Sequence, residues 1–133
     1  MAQEFSETCI YTIVSAKTLA EASVRGDAAT FTEKKTWVTG YALWQKAVAA
    51  NLRMPIVFAD AADCSRLLYW GLLTHVEVDN GVSTKYTVDR VRKLPGSHSP
   101  QELTLRSTGK KIALGFIRPY AICVTPSFLE GRV

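Results

Sequence analysis

The sequence has few of the features that mark secreted, metal-bound or membrane-spanning proteins. Of its 133 residues only Cys9, Cys64 and Cys123 are cysteines, and they form no C-x-x-C pair. An odd number at such wide spacing argues against a disulfide framework or a zinc site. The N-terminus lacks a basic segment followed by an apolar one, and no apolar run approaches the roughly 20 residues that cross a bilayer. We therefore expect a soluble cytoplasmic protein with no membrane partner.

The chain also lacks a catalytic or cofactor fingerprint, although its composition is that of a folded domain. The 47% of hydrophobic residues supply enough apolar surface to offset the conformational entropy that folding removes. The length fits one domain over residues 1–133, since a single core commonly organises roughly 100–150 residues. Sixteen basic against twelve acidic residues give a net charge of +4, which is compatible with a polyanionic partner.

Two strands and a helix are predicted from local signals in the first half of the chain. Residues 9–14 are β-branched and aromatic, and residues 56–58 form a short apolar run, so each predicts a strand. Between them, Ser15 or Thr18 can cap a helix, because a hydroxyl accepts the free amide protons of a first turn. Gly26 is the predicted end of that helix.

A second helix is predicted between residue 40 and Pro55, with Thr39 as its N-cap. Proline ends it because the residue before a proline is pushed toward extended geometry. The predicted apolar stripe follows helical spacing and consists of Tyr41, Trp44, Val48 and Leu52.

A β-hairpin is predicted in the second half of the chain. Residues 67–78 and 84–91 alternate in polarity, and residues 79–81 (D-N-G) favour a tight reversal between them. Residues 94–100 (L-P-G-S-H-S-P) are rich in turn formers and predict a flexible loop. The apolar side chains expected to share one face of the first hairpin strand are Leu68, Trp70, Leu72, Val76 and Val78. Two further extended segments are predicted at residues 112–117 and 120–124.

These elements together predict an α+β domain with about six short strands and two early helices. The sheet is expected to be mostly antiparallel and to form a small β-barrel or a strongly curved sheet. Closure into a barrel would remove exposed strand edges. An open sheet with helices on one face is the alternative.

One cluster of residues could support an enzyme. Asp60, Asp63 and Cys64 follow a predicted strand, and His75 could approach from the next strand as a base. Short acidic segments more often form turns or caps, and no third partner completes a catalytic set. We therefore predict no catalytic residue, metal site or cofactor. A small hydrolase-type enzyme using these four residues remains an alternative.

Basic residues interleaved with aromatic ones predict a nucleic-acid-binding surface. Cationic side chains neutralise phosphates, and an aromatic ring can stack on an unpaired base. Trp44 and Trp70 lie on apolar faces and are predicted core residues, whereas Trp37 is expected nearest a pocket. The predicted binding residues are Lys34, Lys35, Trp37, Tyr69, Arg90, Arg92, Lys93, Lys110, Lys111 and Arg118.

The order of elements over residues 9–124 resembles the PUA-like superfamily of small barrels, which includes the ASCH and EVE domains. The resemblance rests on the short first strand, the early helix, the apolar run 55–58 and the long run 68–78 with Tyr86 on the returning strand. Lys17, Glu21 and Arg25 are similar to the ASCH pocket motif, with Ser15 where that motif has glycine. The resemblance implies a noncatalytic module that binds RNA or DNA, with a modified or flipped base in an aromatic-lined cleft.

A third class of function is a protein-interaction or oligomerisation domain. Such a domain would expose an apolar patch, and the candidates are Phe116, Tyr120 and Phe128. The sequence leaves the oligomeric state open.

Overall fold

A computed structural model describes residues 4–62, 65–79, 82–113 and 120–129. Its α-helices are α1 (Ala16–Arg25) and α2 (Val38–Ala49). Its strands are β1 (Thr8–Val14), β2 (Ala29–Glu33), β3 (Pro55–Asp60), β4 (Leu67–Asp79), β5 (Ser83–Val88), β6 (Arg92–His98) and β7 (Tyr120–Val124). Short 3-10 helices lie at Pro100–Glu102 and Ser127–Leu129.

The strands form one curved sheet in the order β2-β5-β4-β3-β1-β7, and β6 also pairs with β4. All neighbours are antiparallel except β1 and β3. Register shifts interrupt the pairing of β4 with each of its three partners, and such bulges bend and twist a sheet. The described strands do not close into a barrel, because no pairing joins β2 to β7. The prediction of an α+β fold with a strongly curved sheet is confirmed.

The sheet is covered on both faces. The face that packs on α1 and α2 is called here the helix face, and its core includes Ile10, Leu19, Ala47, Phe58 and Tyr86. The opposite face is covered by the chain after β6 and is called the loop face. Its core is defined by Cys9, Val57, Trp70, Leu72, Leu103, Ile112 and Leu129. Burial on both faces explains why β3 is apolar along nearly its whole length rather than alternating.

Helix α1 begins and ends where its capping residues predict. The Ser15 hydroxyl accepts a hydrogen bond from the Thr18 amide at 3.2 Å, which satisfies a free donor of the first turn. Gly26 adopts a left-handed conformation with φ 70° and donates its N–H to the Ala22 carbonyl, the usual arrangement at a helix C-terminus. Neither helix of the described chain has the length and apolar character needed to cross a bilayer.

Helix α2 packs on the sheet with Tyr41 and Trp44 of the predicted stripe half-buried, but its fully buried positions lie elsewhere. Val48 of the predicted stripe is 57% exposed, and the buried positions are Gly40 and Ala47. A Cβ at Gly40 would lie 2.8 Å from the Tyr120 hydroxyl oxygen, so the helix approaches the sheet through its small residues. Because the helix lies close to the sheet, the Trp44 side chain packs at the edge of this contact and is only half-buried. The helix also begins at Val38 after Trp37, rather than after Thr39.

Two further features of the sheet depart from the sequence expectations. The loop expected at residues 94–100 is largely a strand, because residues 92–98 form β6, in which Arg92, Lys93 and His98 pair with β4. Pairing at an edge overrides the turn-forming composition, and an edge strand tolerates proline. The segment of β2 was not predicted as a strand.

Strand β4 does not keep its apolar residues on one face. Leu73 pairs with Val88 and His75 with Thr87, which makes Thr74 an extra residue. A bulge of this kind reverses the alternation of side chains. Leu72 therefore belongs to the loop face, whereas Val76 belongs to the helix face.

Candidate nucleic-acid interface on the helix face

A row of residues paired across five strands ends in a lysine. Tyr120 pairs with Thr12, Thr12 with Phe58, Phe58 with Tyr69, and Tyr69 with Lys93. Residues directly opposite one another in a sheet project from the same face. Phe58 is buried in the helix-face core, and Tyr69 and Tyr120 pack against that core. The row therefore brings two half-buried tyrosines and an exposed lysine to one face of the sheet.

The end of the edge strand β2 meets the middle of this row. The Glu33 Oε1 atom accepts hydrogen bonds from the Thr12 hydroxyl at 3.5 Å and from the Tyr86 hydroxyl at 3.4 Å. Strand β2 is separated from β1 by three strands in the sheet order. Their side chains meet because the sheet curves, so this contact depends on the whole fold.

The Glu33 carboxyl is partly withdrawn from water. Burial raises the pKa of Glu33, and the hydrogen bonds from Tyr86 and Thr12 oppose the rise without cancelling it. Burial, together with the neighbouring Glu33 charge, also holds the pKa of Tyr86 well above its usual range. The Tyr86 hydroxyl therefore remains a hydrogen-bond donor to the carboxylate.

Tyr86, which donates to this carboxyl group, belongs to an aromatic cluster. Tyr86 stacks on Phe31 with ring centroids 5.4 Å apart and on Trp37 with centroids 4.5 Å apart. Trp37 also stacks on Tyr120 at 4.8 Å with the rings 6° from parallel. The Trp37 indole N–H is buried and has no hydrogen-bond partner among the described residues. Buried polar groups are nearly always paired, so this unpaired donor is an exception within the aromatic cluster.

The backbone before α2 is held by buried hydrogen bonds. The Trp37 amide donates to the Thr84 hydroxyl at 2.8 Å, and that hydroxyl donates to the Lys35 carbonyl at 2.7 Å. The Gly40 amide donates to the Tyr120 hydroxyl at 2.9 Å. These bonds fix the segment that carries Lys34 and Lys35, whose side chains are exposed immediately after Glu33.

Arg92 and Lys111 of the predicted set belong to the loop face. Arg92 pairs opposite Trp70 on the loop face, where its guanidinium lies 4.9 Å from the ring centroid and binds Asp89. Lys111 donates to the Glu102 carbonyl in the segment that covers the loop face. The remaining residues of the prediction are Arg90 and Lys110, which are exposed, and Arg118, which lies outside the described residues.

The position of Trp37 corrects one expectation about the predicted set. Its side chain is fully buried, with 0% exposure, because Tyr86 and Tyr120 stack on it. An incoming base therefore has no free face of this ring to stack on. Among the half-buried rings that pack against the helix-face core, Tyr69 and Tyr120 are the two that belong to the registered row.

The described residues of the alternative enzyme site are not assembled. The Asp60 carboxylate accepts hydrogen bonds from the Ala16 and Ala62 amides, each at 3.1 Å. The bond to Ala16 stabilises the start of α1. His75 is exposed and bonded to Glu77. It lies along β4 from Leu67, the partner of the residue before Asp60, by about 27 Å at roughly 3.4 Å per residue. Asp63 and Cys64 lie outside the described residues. No group of side chains suited to a metal ion occurs in the described ranges.

The proposed interaction patch is also divided between the two faces. Tyr120 lies on the helix face, whereas Phe128 stacks on His98 with centroids 4.0 Å apart. Phe128 lines an open groove of about 540 Å³ together with Thr104, Lys111 and Val124. Phe116 lies outside the described residues.

The residues of the ASCH-like motif lie along one exposed side of α1. Lys17, Glu21 and Arg25 are all exposed, and Arg25 forms an ion pair with Asp27 at 3.5 Å. Their spacing of four residues places them together on a helix surface. None of the protein-family models, curated proteins or solved structures compared with the chain matches it.

Proposed function

We propose that this protein is a noncatalytic nucleic-acid-binding module, and that it holds an unstacked base of a single strand against the helix face. Lys34, Lys35 and Lys93 contact the phosphates of that strand. Tyr69, which pairs opposite Lys93, supplies the ring on which the base stacks.

The observation that carries the proposal is the half-buried Glu33 carboxyl among aromatic rings. Burying a charged group is unfavourable unless strong hydrogen bonds compensate it. Here the two bonds are long, and one of the donors, Tyr86, stacks on Phe31 and Trp37. Unsatisfied polar groups beside stacking surfaces suit a planar ligand with a hydrogen-bonding edge, and a nucleobase is such a ligand.

The charge around this surface suits a polyanion. Lys34, Lys35 and Lys93 are exposed and form no ion pair with a described residue. Each phosphate contact by a lysine releases counterions, so affinity falls as salt rises. For three contacts to a single strand, the slope of log K against log salt is about −2.

The test is fluorescence anisotropy with labelled single-stranded RNA and DNA oligomers across a salt series. We expect the double variant Lys34→Ala/Lys35→Ala to bind more weakly and with a smaller salt slope. The matched control is Lys110→Ala/Lys111→Ala, which removes the same charge from the opposite side and should bind as the wild type does. Equal losses in the two double variants, or no binding to any oligomer at low salt, would overturn the proposal.

The stacking surface is tested separately from the charge. Tyr69→Ala removes a half-buried ring and should weaken binding by roughly 1–3 kcal/mol, the value of one base stacked on an aromatic ring. Tyr69→Phe keeps the ring and should restore most of the affinity. If both variants bind equally weakly, the hydroxyl rather than the ring face makes the contact.

A further inference from the structure

The two oxygens of the Glu33 carboxylate differ in their bonding. Oε1 accepts from Thr12 and Tyr86 at 3.5 and 3.4 Å, which is long for O–H···O bonds that usually measure about 2.5–3.0 Å. Oε2 accepts no hydrogen bond from the described residues. A carboxylate offers about four acceptor positions, so most of this capacity is unused in a place where water is partly excluded.

Asp89, a partly buried carboxylate just after the end of β5, shows how such a group is bonded when it stabilises the fold. Asp89 accepts from both terminal nitrogens of Arg92, from Arg53 and from two backbone amides, at 2.7–3.1 Å. These bonds outweigh the effect of burial, and the pKa of Asp89 lies below its usual value. Glu33 has no cation bonded to it in the described ranges and accepts only two long bonds, so most of its acceptor capacity is left free.

We propose, building on the function above, that Glu33 makes this site selective for guanine. The Watson–Crick edge of guanine carries two adjacent N–H donors, at N1 and at the N2 amino group. An ionised carboxylate only accepts hydrogen bonds, and its two oxygens match a pair of parallel donors. Guanine therefore satisfies the acceptor capacity that the protein leaves unused.

The same carboxylate rejects the other bases. Adenine and cytosine present a ring nitrogen acceptor beside their amino group, and uracil presents a carbonyl oxygen on each side of its single N–H. Each would place a lone pair opposite the Glu33 oxygens. This repulsion lowers the affinity for these bases relative to guanine. A correct bidentate contact discriminates by about tenfold or more.

The experiment compares octamers of sequence UUUXUUUU with X as guanosine, inosine, adenosine or cytidine, together with their DNA equivalents. Binding to the wild-type protein is measured by anisotropy at low salt. We expect guanosine to bind at least about tenfold more tightly than adenosine or cytidine. Inosine keeps N1–H and lacks the N2 amino group, so its affinity should fall between them. This series needs no variant and therefore does not depend on the folding of a mutant.

The variant Glu33→Gln assigns the preference to the carboxylate. Its amide keeps an acceptor for Tyr86 and Thr12, but its NH₂ group faces the guanine donors. We expect guanosine affinity to fall by about tenfold and the other affinities to change by less than about threefold. If all four octamers bind equally, or if the variant keeps the guanosine preference, this inference fails while the binding function stands. If no octamer binds, the proposed function itself fails.

Discussion

Removing the Asp89 carboxylate should destabilise the fold more than any other exposed or half-buried acid. Asp89 accepts five hydrogen bonds, from Arg53, Arg92 (two), Leu72 and Arg90. Asp89→Ala leaves the Arg92 guanidinium, whose side chain is only 13% exposed, without its counter-charge. Breaking a buried ion pair costs about 3–5 kcal/mol. Because Asp89 is itself about one-fifth exposed, the loss should lie near the lower end, about 3 kcal/mol.

The assay is urea denaturation followed by tryptophan fluorescence and circular dichroism. A loss of about 3 kcal/mol corresponds to a decrease in melting temperature on the order of 10 °C for a chain of this length. The matched control is Glu77→Ala, since the Glu77–His75 pair is more than half exposed on both sides. This control should change the stability by less than about 0.5 kcal/mol. A loss below about 1 kcal/mol for Asp89→Ala would refute the assignment of a structural role.

The stability difference between the wild type and Asp89→Ala should depend on pH. The folded-state pKa of Asp89 is lowered: burial acts to raise it, and the bonds from Arg92 and the backbone amides outweigh burial. The stability that Asp89 contributes is therefore complete above its unfolded pKa of about 3.9. It is lost as the pH falls through the lower folded-state pKa. The gap between wild type and Asp89→Ala should be full at neutral pH and shrink in acid, and a constant gap would contradict this reasoning.

Three further predictions concern the helix face, the centre of the sheet and the buried thiols. Burial raises the folded-state pKa of Glu33, so the fold loses stability as the pH rises through that pKa. Glu33→Gln should therefore unfold at a higher temperature than the wild type at pH 7, and at the same temperature below about pH 4. Glu21→Gln, on the exposed side of α1, is the control. Gly71→Ala places a Cβ against a neighbouring side chain and 2.7 Å from the Arg90 carbonyl oxygen, and urea denaturation should show a loss of about 3 kcal/mol. Burial raises the pKa of Cys123 to about 12, so peptide mapping should find its alkylation at pH 8 about a thousandfold slower in the folded than in the unfolded protein.

Short-range signals in the sequence predicted much of the framework. The Ser15 cap and the Gly26 terminus of α1 depend on residues within one helical turn, and the hairpin of β4 and β5 depends on local alternation of polarity. Each of these features is stabilised mainly by contacts between near neighbours, so the residues that determine it are adjacent in the sequence.

The errors in the secondary structure share one physical origin. Residues 92–98 have the composition of a loop, but pairing with β4 makes them a strand. The bulge at Thr74 reverses the faces of β4, which period-two alternation cannot anticipate. In α2, the approach of Gly40 to Tyr120 selects the buried face. All three depend on partners distant in the sequence.

The candidate site shows the same division between what is local and what is not. The sequence by itself determined that basic and aromatic residues are interleaved, and it singled out Lys34, Lys35, Tyr69 and Lys93 among a larger set. Only the tertiary structure decided that Arg92 and Lys93, adjacent in the chain, belong to opposite faces, and that Trp37 is buried.

Glu33 was absent from the sequence predictions because the contacts that distinguish it are long-range. The alternating run Thr30-Phe31-Thr32-Glu33 before two lysines is the signal that could have indicated a strand ending in a polar site. That signal says nothing of Thr12 or Tyr86, which reach the carboxylate only because the sheet curves. Composition and periodicity describe a chain residue by residue, whereas a binding site is a set of distances between residues that folding alone brings together.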